Sequence, residues 1–356
     1  MKTRRTTREW CPHPDTSSVA APSQCRTWGL TVHVRNRLRG QGLILSANRQ
    51  DMKRNECMVT GGSGFLGSHI VHLLLRRGYE VTVIDDLSTG NKKLIEGENV
   101  NFILKDITDP NIVKVVKRKR FKYVFNFASP STDRVFNLDG SATVNTFLGM
   151  LNSFKIAKAC QAEKVIYPSS GTVYGNSPAP QGEDLKASPL TMYACTKLLL
   201  ENISSLLGEE CVSVGLRIFA GYGGRERFKG GHASVVTLFH NDLTRGQPPV
   251  IYGDGEQRRD YIHSLDIAEI AIRAAESNTE GVLNAGCGIS YSMNELVETL
   301  SKELSVNVKP KYVESPLRHI QETRADTTRL ERVLGYKPMG LDDGIRLLIK
   351  ELSAFS

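Results

Sequence analysis

Two residues in one short segment have the types and the spacing to transfer a proton. Tyr193 and Lys197 stand four residues apart in the run Tyr-Ala-Cys-Thr-Lys, and a helix would direct both side chains to the same face. An ammonium beside a phenol lowers the pKa of the phenol from its usual ~10, so the tyrosine becomes a usable acid and base near neutral pH. The pair predicts proton transfer by Tyr193 with the assistance of Lys197.

A glycine-rich run, Gly-Gly-Ser-Gly-Phe-Leu-Gly at residues 61–67, lies well upstream of this pair. It falls between an apolar run and an amphipathic run, which is the strand–turn–helix order of a dinucleotide site. Gly61 permits the tight turn, Gly64 lets the backbone approach a pyrophosphate, and Gly67 lets the helix pack on the strand. Phe65 and Leu66 begin that helix, whose amino end attracts the anion. Together with the tyrosine–lysine pair, the run predicts hydride transfer on a nicotinamide.

Asp85 ends the next apolar run, about twenty residues after the glycines, where a carboxylate accepts hydrogen bonds from the ribose of the adenosine. An acid at this place repels a 2′-phosphate, and no basic residue follows until Lys92. The sequence therefore favours NAD over NADP as the cofactor.

Apolar and amphipathic runs alternate between these segments. The pattern predicts strands over residues 57–60, 80–84, 100–104, 123–127, 165–167 and 212–219, and helices over 65–77, from about 109, over 142–160 and over 190–207. Such alternation gives a parallel sheet covered on both faces, so we predict an α/β fold with a Rossmann-like doubly wound parallel sheet. After Gly221, glycine and proline punctuate shorter runs, which predict a smaller, mixed α/β C-terminal lobe that ends in a helix over 341–352.

The chain divides by this pattern into three parts. We expect residues 1–51 to be a disordered extension, residues 52–220 to bind NAD with 257–280 returning to that domain, and residues 221–356 mainly to bind substrate. The extension holds nine basic and three acidic side chains, so it carries +6 of the net charge of +8 and leaves +2 for the body. A nearly neutral body offers no broad basic face, and we expect no nucleic-acid partner.

The cysteines indicate the compartment. Seven cysteines are scattered along the chain, and none forms a Cys-x-x-Cys pair. This spacing disfavours a disulfide framework and a zinc site and fits a reducing environment. No apolar stretch approaches a membrane span, and the first part of the chain lacks the apolar segment of a secretory signal. We therefore expect a cytoplasmic protein with no membrane partner and no metal.

The sequence resembles the extended short-chain dehydrogenases/reductases that act on nucleotide sugars, above all the UDP-hexose 4-epimerases. The resemblance runs from about residue 52 to the C-terminus. It rests on the glycine run at 61–67, Ser-Ser-Gly-Thr-Val-Tyr-Gly (169–175), Tyr-Ala-Cys-Thr-Lys (193–197), Gly-Asp-Gly-Glu-Gln-Arg-Arg-Asp-Tyr-Ile (253–262) and Arg-Ala-Asp (324–326). It implies a nucleotide-sugar substrate and a homodimer in which the helices at 142–160 and 190–207 pack between subunits.

The resemblance also assigns roles around the cofactor. It makes Tyr193 the proton-transfer residue and Lys197 its partner, with the lysine hydrogen-bonded to the nicotinamide ribose. It makes Ser170 the hydroxyl that binds the substrate hydroxyl undergoing oxidation. The cofactor contacts that it implies beyond the glycine run, Asp85, Tyr193 and Lys197 are Asp106, Ile107, Phe127, Ala128 and Ser129.

Besides Ser170, the resemblance implies four contacts on the substrate side. Arg259 matches a ligand of the substrate diphosphate, a task that suits the donor fork of a guanidinium. Arg318 matches a second such ligand, and Thr172 lies beside Ser170 in the substrate site. Arg227 lies near the place where epimerases of UDP-glucuronate bind the sugar carboxylate. Ala220 stands where the family commonly has asparagine, which removes a polar contact to the substrate.

One departure from related enzymes narrows the reaction. Nucleotide-sugar 4,6-dehydratases and UDP-glucuronate decarboxylases have acidic residues just after the active-site serine or threonine, whereas this chain has Gly171 and Thr172. The resemblance therefore implies 4-epimerisation of a UDP-hexose. A UDP-glucuronate 4-epimerase, a reductase or dehydrogenase of a nucleotide-linked keto-sugar, and a dinucleotide-sensing scaffold remain alternatives. Net consumption of NAD(P)H would distinguish the reductase.

Overall fold

A computed structural model of the chain describes residues 55–136, 140–208, 211–314 and 320–354. Strands and helices alternate through most of these residues. The first six strands are β1 (Glu56–Thr60), β2 (Glu80–Asp85), β3 (Val100–Leu104), β4 (Tyr123–Asn126), β5 (Lys164–Ser170) and β6 (Val212–Ile218). The later strands are β7 (Ala220–Tyr222), β8 (Val250–Tyr252), β9 (Arg258–Arg259), β10 (Tyr261–His263), β11 (Gly281–Ala285), β12 (Tyr291–Ser292), β13 (Lys311–Val313) and β14 (Glu322–Thr323).

The helices lie between these strands and at the carboxyl end of the chain. They are α1 (Phe65–Arg76), α2 (Ile112–Val116), α3 (Asp133–Phe136), α4 (Ser141–Ala159), α5 (Met192–Leu207), α6 (Val235–Thr244), α7 (Ser264–Glu276), α8 (Met293–Leu304), α9 (Thr328–Leu334) and α10 (Leu341–Ala354). Shorter 3-10 segments span Lys92–Ile95, Gly171–Tyr174 and Gly224–His232.

Seven strands form one parallel sheet in the order β11-β6-β5-β4-β1-β2-β3. The chain runs outward from β1 to β3 and then returns to β4 on the other side of β1. The strand order therefore reverses between β1 and β4. In a doubly wound sheet this reversal opens a crevice at the carboxyl ends of the strands, and ligands bind there.

The sheet is covered on both faces because successive side chains of a strand point to opposite sides. In β1, Cys57 and Val59 contribute to a core packed under α1, α7 and α9. Met58, between them, contributes to a second core with residues of α2, α4 and α5. Every strand residue from Cys57 to Thr60 is buried, as expected of a central parallel strand.

Smaller sheets and a separate apolar cluster make up the rest of the described chain. β7 pairs with β10, β8 with β13, and β9 with both β12 and β14. Side chains of α6, α8 and α10 form their own core around Leu243, Leu296 and Leu348. This arrangement builds the smaller, mixed lobe predicted for the C-terminal part.

The predicted Rossmann-like doubly wound parallel sheet is confirmed. β3 has the predicted bounds, and the other five predicted strands differ at their ends by at most a few residues. The pattern missed β11, which adds a seventh strand beside β6, so the segment that returns to the sheet extends past residue 280. The expectation for residues 1–51 lies outside the described residues.

Candidate active site

The glycine run closes a tight turn between β1 and α1. Gly61 has φ +66°, and its amide donates to the carbonyl of Ile84 at 2.8 Å. A Cβ at Gly61 would lie 2.6 Å from the carbonyl oxygen of Phe127, and one at Gly67 would lie 2.0 Å from the carbonyl oxygen of Gly61. Both positions therefore require glycine. The turn brings the amino end of α1 to the carboxyl end of β4, at the reversal of strand order.

Asp85 ends β2 beside this turn, as the sequence predicted. Its carboxylate accepts the backbone amides of Ser63 and Leu87, each at 2.8 Å, through different oxygens. These two bonds fix the carboxylate against the glycine run. The side chain is buried, and desolvation raises its pKa above the usual value. The position fits the expected contact to a ribose.

Tyr193 and Lys197 share one face of α5, which begins at Met192, directly after the cap residue Thr191. The Lys197 Nζ lies 5.4 Å from the centroid of the Tyr193 ring and donates to the Ser129 Oγ at 3.1 Å. The lysine is almost completely buried, and this desolvation lowers its pKa to about 7. The ring of Phe136 meets the Tyr193 ring edge-on at 5.2 Å. The structure thus joins three of the predicted site residues: Tyr193, Lys197 and Ser129.

Ser170 stands at the carboxyl end of β5 and caps the following 3-10 segment. Its Oγ accepts the Thr172 amide at 3.2 Å and the Thr172 hydroxyl at 2.9 Å. A Cβ at Gly171 would lie 3.1 Å from the ring of Phe219, so a larger side chain there requires that ring to shift. The segment also packs against α5, which bears Tyr193.

The remaining predicted cofactor residues lie along the ends of β3 and β4. Phe127 and Ile107 are buried, and Ala128 and Ser129 are half-buried. Asp106 is exposed and its Oδ1 accepts the Thr108 amide at 2.8 Å. These residues form an edge around the crevice that continues from the glycine run. They fit the trough that the resemblance implied.

The arginines predicted to contact substrate fall in different places. Arg259, in β9, donates from Nη1 to the carbonyls of Arg258 and Ile320 at 2.8 and 2.9 Å, and burial lowers its pKa. Arg227 lies in the segment Gly224–His232 and lines a cavity of about 350 Å³ with Arg245. Arg318 lies outside the described residues. Ala220 begins β7, and its amide donates to the carbonyl of Asp260.

A buried polar network behind the site was not predicted from the sequence. Glu201 follows Lys197 by one helical turn on the same face of α5 and pairs with Arg217 of β6 at 2.8 Å. The Glu201 carboxylate also accepts the hydroxyl of Ser169, the neighbour of Ser170. Arg217 donates further to the hydroxyl of Tyr174 at 2.9 Å. The four-residue spacing of Glu201 from Lys197 was the sequence signal that could have placed Glu201 on the same helix face.

The residues present fit NAD. The glycine cradle leaves the amino end of α1 close to the ends of β1 and β4, and Asp85 supplies a fixed carboxylate at the end of β2. The glycine turn would hold the pyrophosphate, Asp85 the adenosine ribose, and Lys197 the nicotinamide side. Within the described ranges, His, Cys, Asp and Glu side chains form no cluster that could hold a metal ion. The helices of the described residues include none with the length and apolar character to cross a membrane.

Residues 57–286 match the NAD dependent epimerase/dehydratase family. The chain is similar to a UDP-glucose 4-epimerase of Mycolicibacterium smegmatis, with 30% identity over 302 residues that cover 81% of this chain and 95% of the relative. The structure resembles a UDP-N-acetylglucosamine 4-epimerase from Methanobrevibacter ruminantium in complex with UDP-N-acetylmuramic acid, with a TM-score of 0.80 and 32% identity over 86% of this chain and 100% of that one. It also resembles a Thermus thermophilus UDP-glucose 4-epimerase in complex with NAD, with a TM-score of 0.77 and 28% identity over 85% and 100% of the two chains.

Proposed function

The chain belongs to the NAD dependent epimerase/dehydratase family, and from this premise we propose that it interconverts a UDP-hexose and its C4 epimer. The observation that carries the proposal is the set of side chains at the carboxyl end of β5. Tyr193 and Lys197 lie together on α5, and Ser170 begins a segment that packs against this helix. Gly171 and Thr172 follow Ser170, at the positions where an elimination or a decarboxylation would require acidic residues.

The proton step belongs to Tyr193. Its phenolate accepts the proton of the sugar O4, with Ser170 holding that hydroxyl, and later returns the proton to the epimeric product. The charge of Lys197 stabilises the phenolate. The hydrogen bond of Lys197 to Ser129 fixes the ammonium beside the carboxyl end of β4. NAD, held by the glycine turn, Asp85 and Lys197, would supply the hydride chemistry at C4. Between the two transfers the 4-keto sugar turns about its diphosphate linkage and presents its other face.

Elimination and decarboxylation are disfavoured by the same segment. Loss of water needs an acid and a base near the 4-keto sugar, and Gly171 and Thr172 provide neither. The tight approach of Gly171 to the Phe219 ring leaves little room for a longer side chain at that position. Epimerisation needs no further acid or base beyond Tyr193, so the residues present suffice.

Arginines of the second lobe support a nucleotide diphosphate as the anchor. We propose that Arg259 binds the substrate diphosphate with the guanidinium donors that it does not direct at backbone carbonyls. Arg227 favours a second candidate. It lines the 350 Å³ cavity with Arg245, and a guanidinium there would suit the carboxylate of UDP-glucuronate. We therefore propose UDP-glucuronate as the alternative substrate for the same 4-epimerisation.

An isotope experiment tests the reaction. UDP-glucose and UDP-glucuronate labelled with deuterium at C4 are incubated with the protein and NAD, and the products are followed by NMR. In an epimerase the deuterium returns to C4 of the epimer. Washout of deuterium, net accumulation of NADH or release of carbon dioxide would each contradict the proposal. The faster of the two substrates identifies the sugar.

We also propose that the protein is a homodimer formed through α4 and α5. These helices pack side by side, joined by a hydrogen bond between the hydroxyls of Thr143 and Thr196 at 2.9 Å. Their outer faces carry large apolar side chains that are 38–80% exposed: Val144, Leu148, Met192, Leu199 and Leu206. The α5 members repeat every seven residues, which places them along one stripe of the helix. A second copy of the same face would cover this apolar surface.

A further inference from the structure

Lys229 reaches from the second lobe into the cofactor crevice. It belongs to the segment Gly224–His232, between β7 and α6. Its Nζ lies 3.0 Å from the Ser131 Oγ and 4.1 Å from the centroid of the Phe65 ring. Phe65 is the first residue of α1, and Ser131 lies in the loop that follows β4. The ammonium therefore lies near the carboxyl ends of β1 and β4.

Among the described residues, the Lys229 ammonium has no close counter-charge. The side chain is 23% exposed, and desolvation lowers its pKa. Among the described residues, the carboxylate within 4 Å is that of Glu226, whose Oε2 lies at 3.8 Å. That carboxylate already accepts the Ser234 amide at 2.9 Å and the Thr237 hydroxyl at 2.6 Å at the start of α6. A partly buried ammonium with so distant a counter-charge is stabilised by an incoming anion.

The anion expected at this place is the pyrophosphate of the dinucleotide. The amino end of α1 carries amides without an intrahelical partner and a partial positive charge. Among the described residues other than its chain neighbours, only the carbonyl oxygen of Gly61 would lie within 4 Å of a Cβ at Gly64. The Lys229 ammonium and the helix end thus present positive charge to the same open space. We infer that Lys229 is a pyrophosphate ligand of bound NAD, supplied by the lobe that otherwise contacts substrate.

This assignment has a kinetic consequence. Lys229 stands in one segment with Arg227, which lines the cavity beside α6. Release of the dinucleotide would require this segment to withdraw the ammonium. We therefore expect NAD to dissociate slowly and to dissociate faster when the ammonium is removed.

The test measures binding rather than turnover. The nucleotide-free full-length protein is titrated calorimetrically with NAD, ADP-ribose and adenosine, as wild type and as Lys229→Met. The Met variant should bind NAD and ADP-ribose roughly 10- to 100-fold more weakly, since both carry the pyrophosphate and a charged hydrogen bond is lost. Its affinity for adenosine should not change. Lys229→Arg should restore most of the loss.

Lys122→Met is the matched control. The Lys122 ammonium also lies over aromatic rings, those of Tyr79 and Tyr123, but it precedes β4 at the opposite end of the sheet. This variant should bind NAD within twofold of wild type. If Lys229→Met does not fold, as judged by its melting curve without ligand, Lys229→Gln replaces it in the same titrations.

Two results would overturn the role of Lys229. One is affinity of the charge-deleted variant for NAD and ADP-ribose within twofold of wild type, and the other is an equal loss of affinity for adenosine. The inference rests on NAD as the cofactor of the proposed epimerase. A wild-type protein that binds no NAD would contradict that assignment, whereas normal binding by the variant alone would contradict only Lys229.

Discussion

Arg217 binds the carboxylate of Glu201 in a bidentate ion pair, with Nε 3.0 Å from Oε1 and Nη2 2.8 Å from Oε2. Both side chains are 6% exposed. Glu201 shares the face of α5 that bears Tyr193 and Lys197, and it also accepts the hydroxyl of Ser169. The ion pair therefore fastens the helix with the proton-transfer residue to β6 and to the end of β5. It fixes the position of Tyr193 and Lys197 on α5 relative to Ser170 at the end of β5.

Glu201→Gln should destabilise the protein by roughly 3–5 kcal/mol, because it leaves the Arg217 guanidinium buried without an opposite charge. Urea unfolding monitored by circular dichroism measures the change. Arg346→Met is the control, since Arg346 is 53% exposed and pairs on the surface with Asp343 at 2.6 Å and with Glu303 at 3.1 Å. Removal of these solvent-screened pairs should change the free energy of unfolding far less than loss of the buried pair. Equal effects of the two variants would contradict a special role for the buried pair.

The placements that the sequence predicted, and that the structure has, depend on local spacing. The glycine run, Asp85 at a strand end and the Tyr193–Lys197 pair are each defined within a few residues of the chain. The contact of Lys229 with Ser131 joins residues 98 positions apart, and no local pattern encodes such an approach. β11 has the sequence Gly-Val-Leu-Asn-Ala, in which two apolar residues stand among three of types that are depleted in strands, so its apolar run is too short to indicate a strand. The lowered pKa of Lys197 likewise depends on burial by distant elements.

Lys197→Met should abolish turnover yet stabilise the protein near neutral pH. Burial holds the pKa of Lys197 in the folded protein at about 7, below the value of ~10.4 in the unfolded chain. The unfolded chain therefore binds more protons between these two values, and wild-type stability rises with pH across that window. At pH 7 and below, the wild type bears the desolvated ammonium, so the Met variant should be more stable by about 1–3 kcal/mol.

The comparison of the two proteins across pH separates this effect from better packing. The advantage of the Met variant should shrink steadily from pH 7 to pH 10, because the wild-type lysine gives up its proton on folding and this loss costs less free energy as the pH rises. Thermal melts of nucleotide-free protein at half-unit steps give the profile. An advantage that is constant with pH would show that packing, rather than the buried charge, is responsible.

Asp85→Ala should weaken NAD binding by about tenfold or more and leave NADP binding unchanged or stronger. The variant removes the acceptor that the ribose hydroxyls would use and the repulsion that a 2′-phosphate would meet. Asp86→Ala is the control, because its carboxylate is exposed and accepts the Ser88 amide at 2.9 Å rather than an amide of the glycine run. Calorimetric titration with both cofactors decides the matter. An unchanged ratio of the two affinities would remove Asp85 from cofactor selection.

Leu199→Glu should convert the proposed dimer into a monomer. Leu199 is 40% exposed in the apolar stripe of α5, and a carboxylate there would be buried opposite its own copy. Light scattering after size exclusion measures the mass in solution. Leu104→Glu is the control, since Leu104 is 62% exposed at the end of β3, the edge strand on the far side of the sheet. A dimer that survives Leu199→Glu would place the interface elsewhere.

Tyr193→Phe tests the proton carrier directly. The substitution keeps the ring, and with it the edge-on contact to Phe136 at 5.2 Å, and removes only the hydroxyl. Turnover should fall by about two to four orders of magnitude, because no other group takes the O4 proton. Affinity for NAD should remain close to wild type, since the glycine turn and Asp85 are untouched. The single-turnover rate of NADH formation with UDP-hexose should fall by the same factor as kcat, which places the loss in the first oxidation. A variant that forms NADH at the wild-type rate would mean that another residue accepts the proton and that Tyr193 only shapes the site.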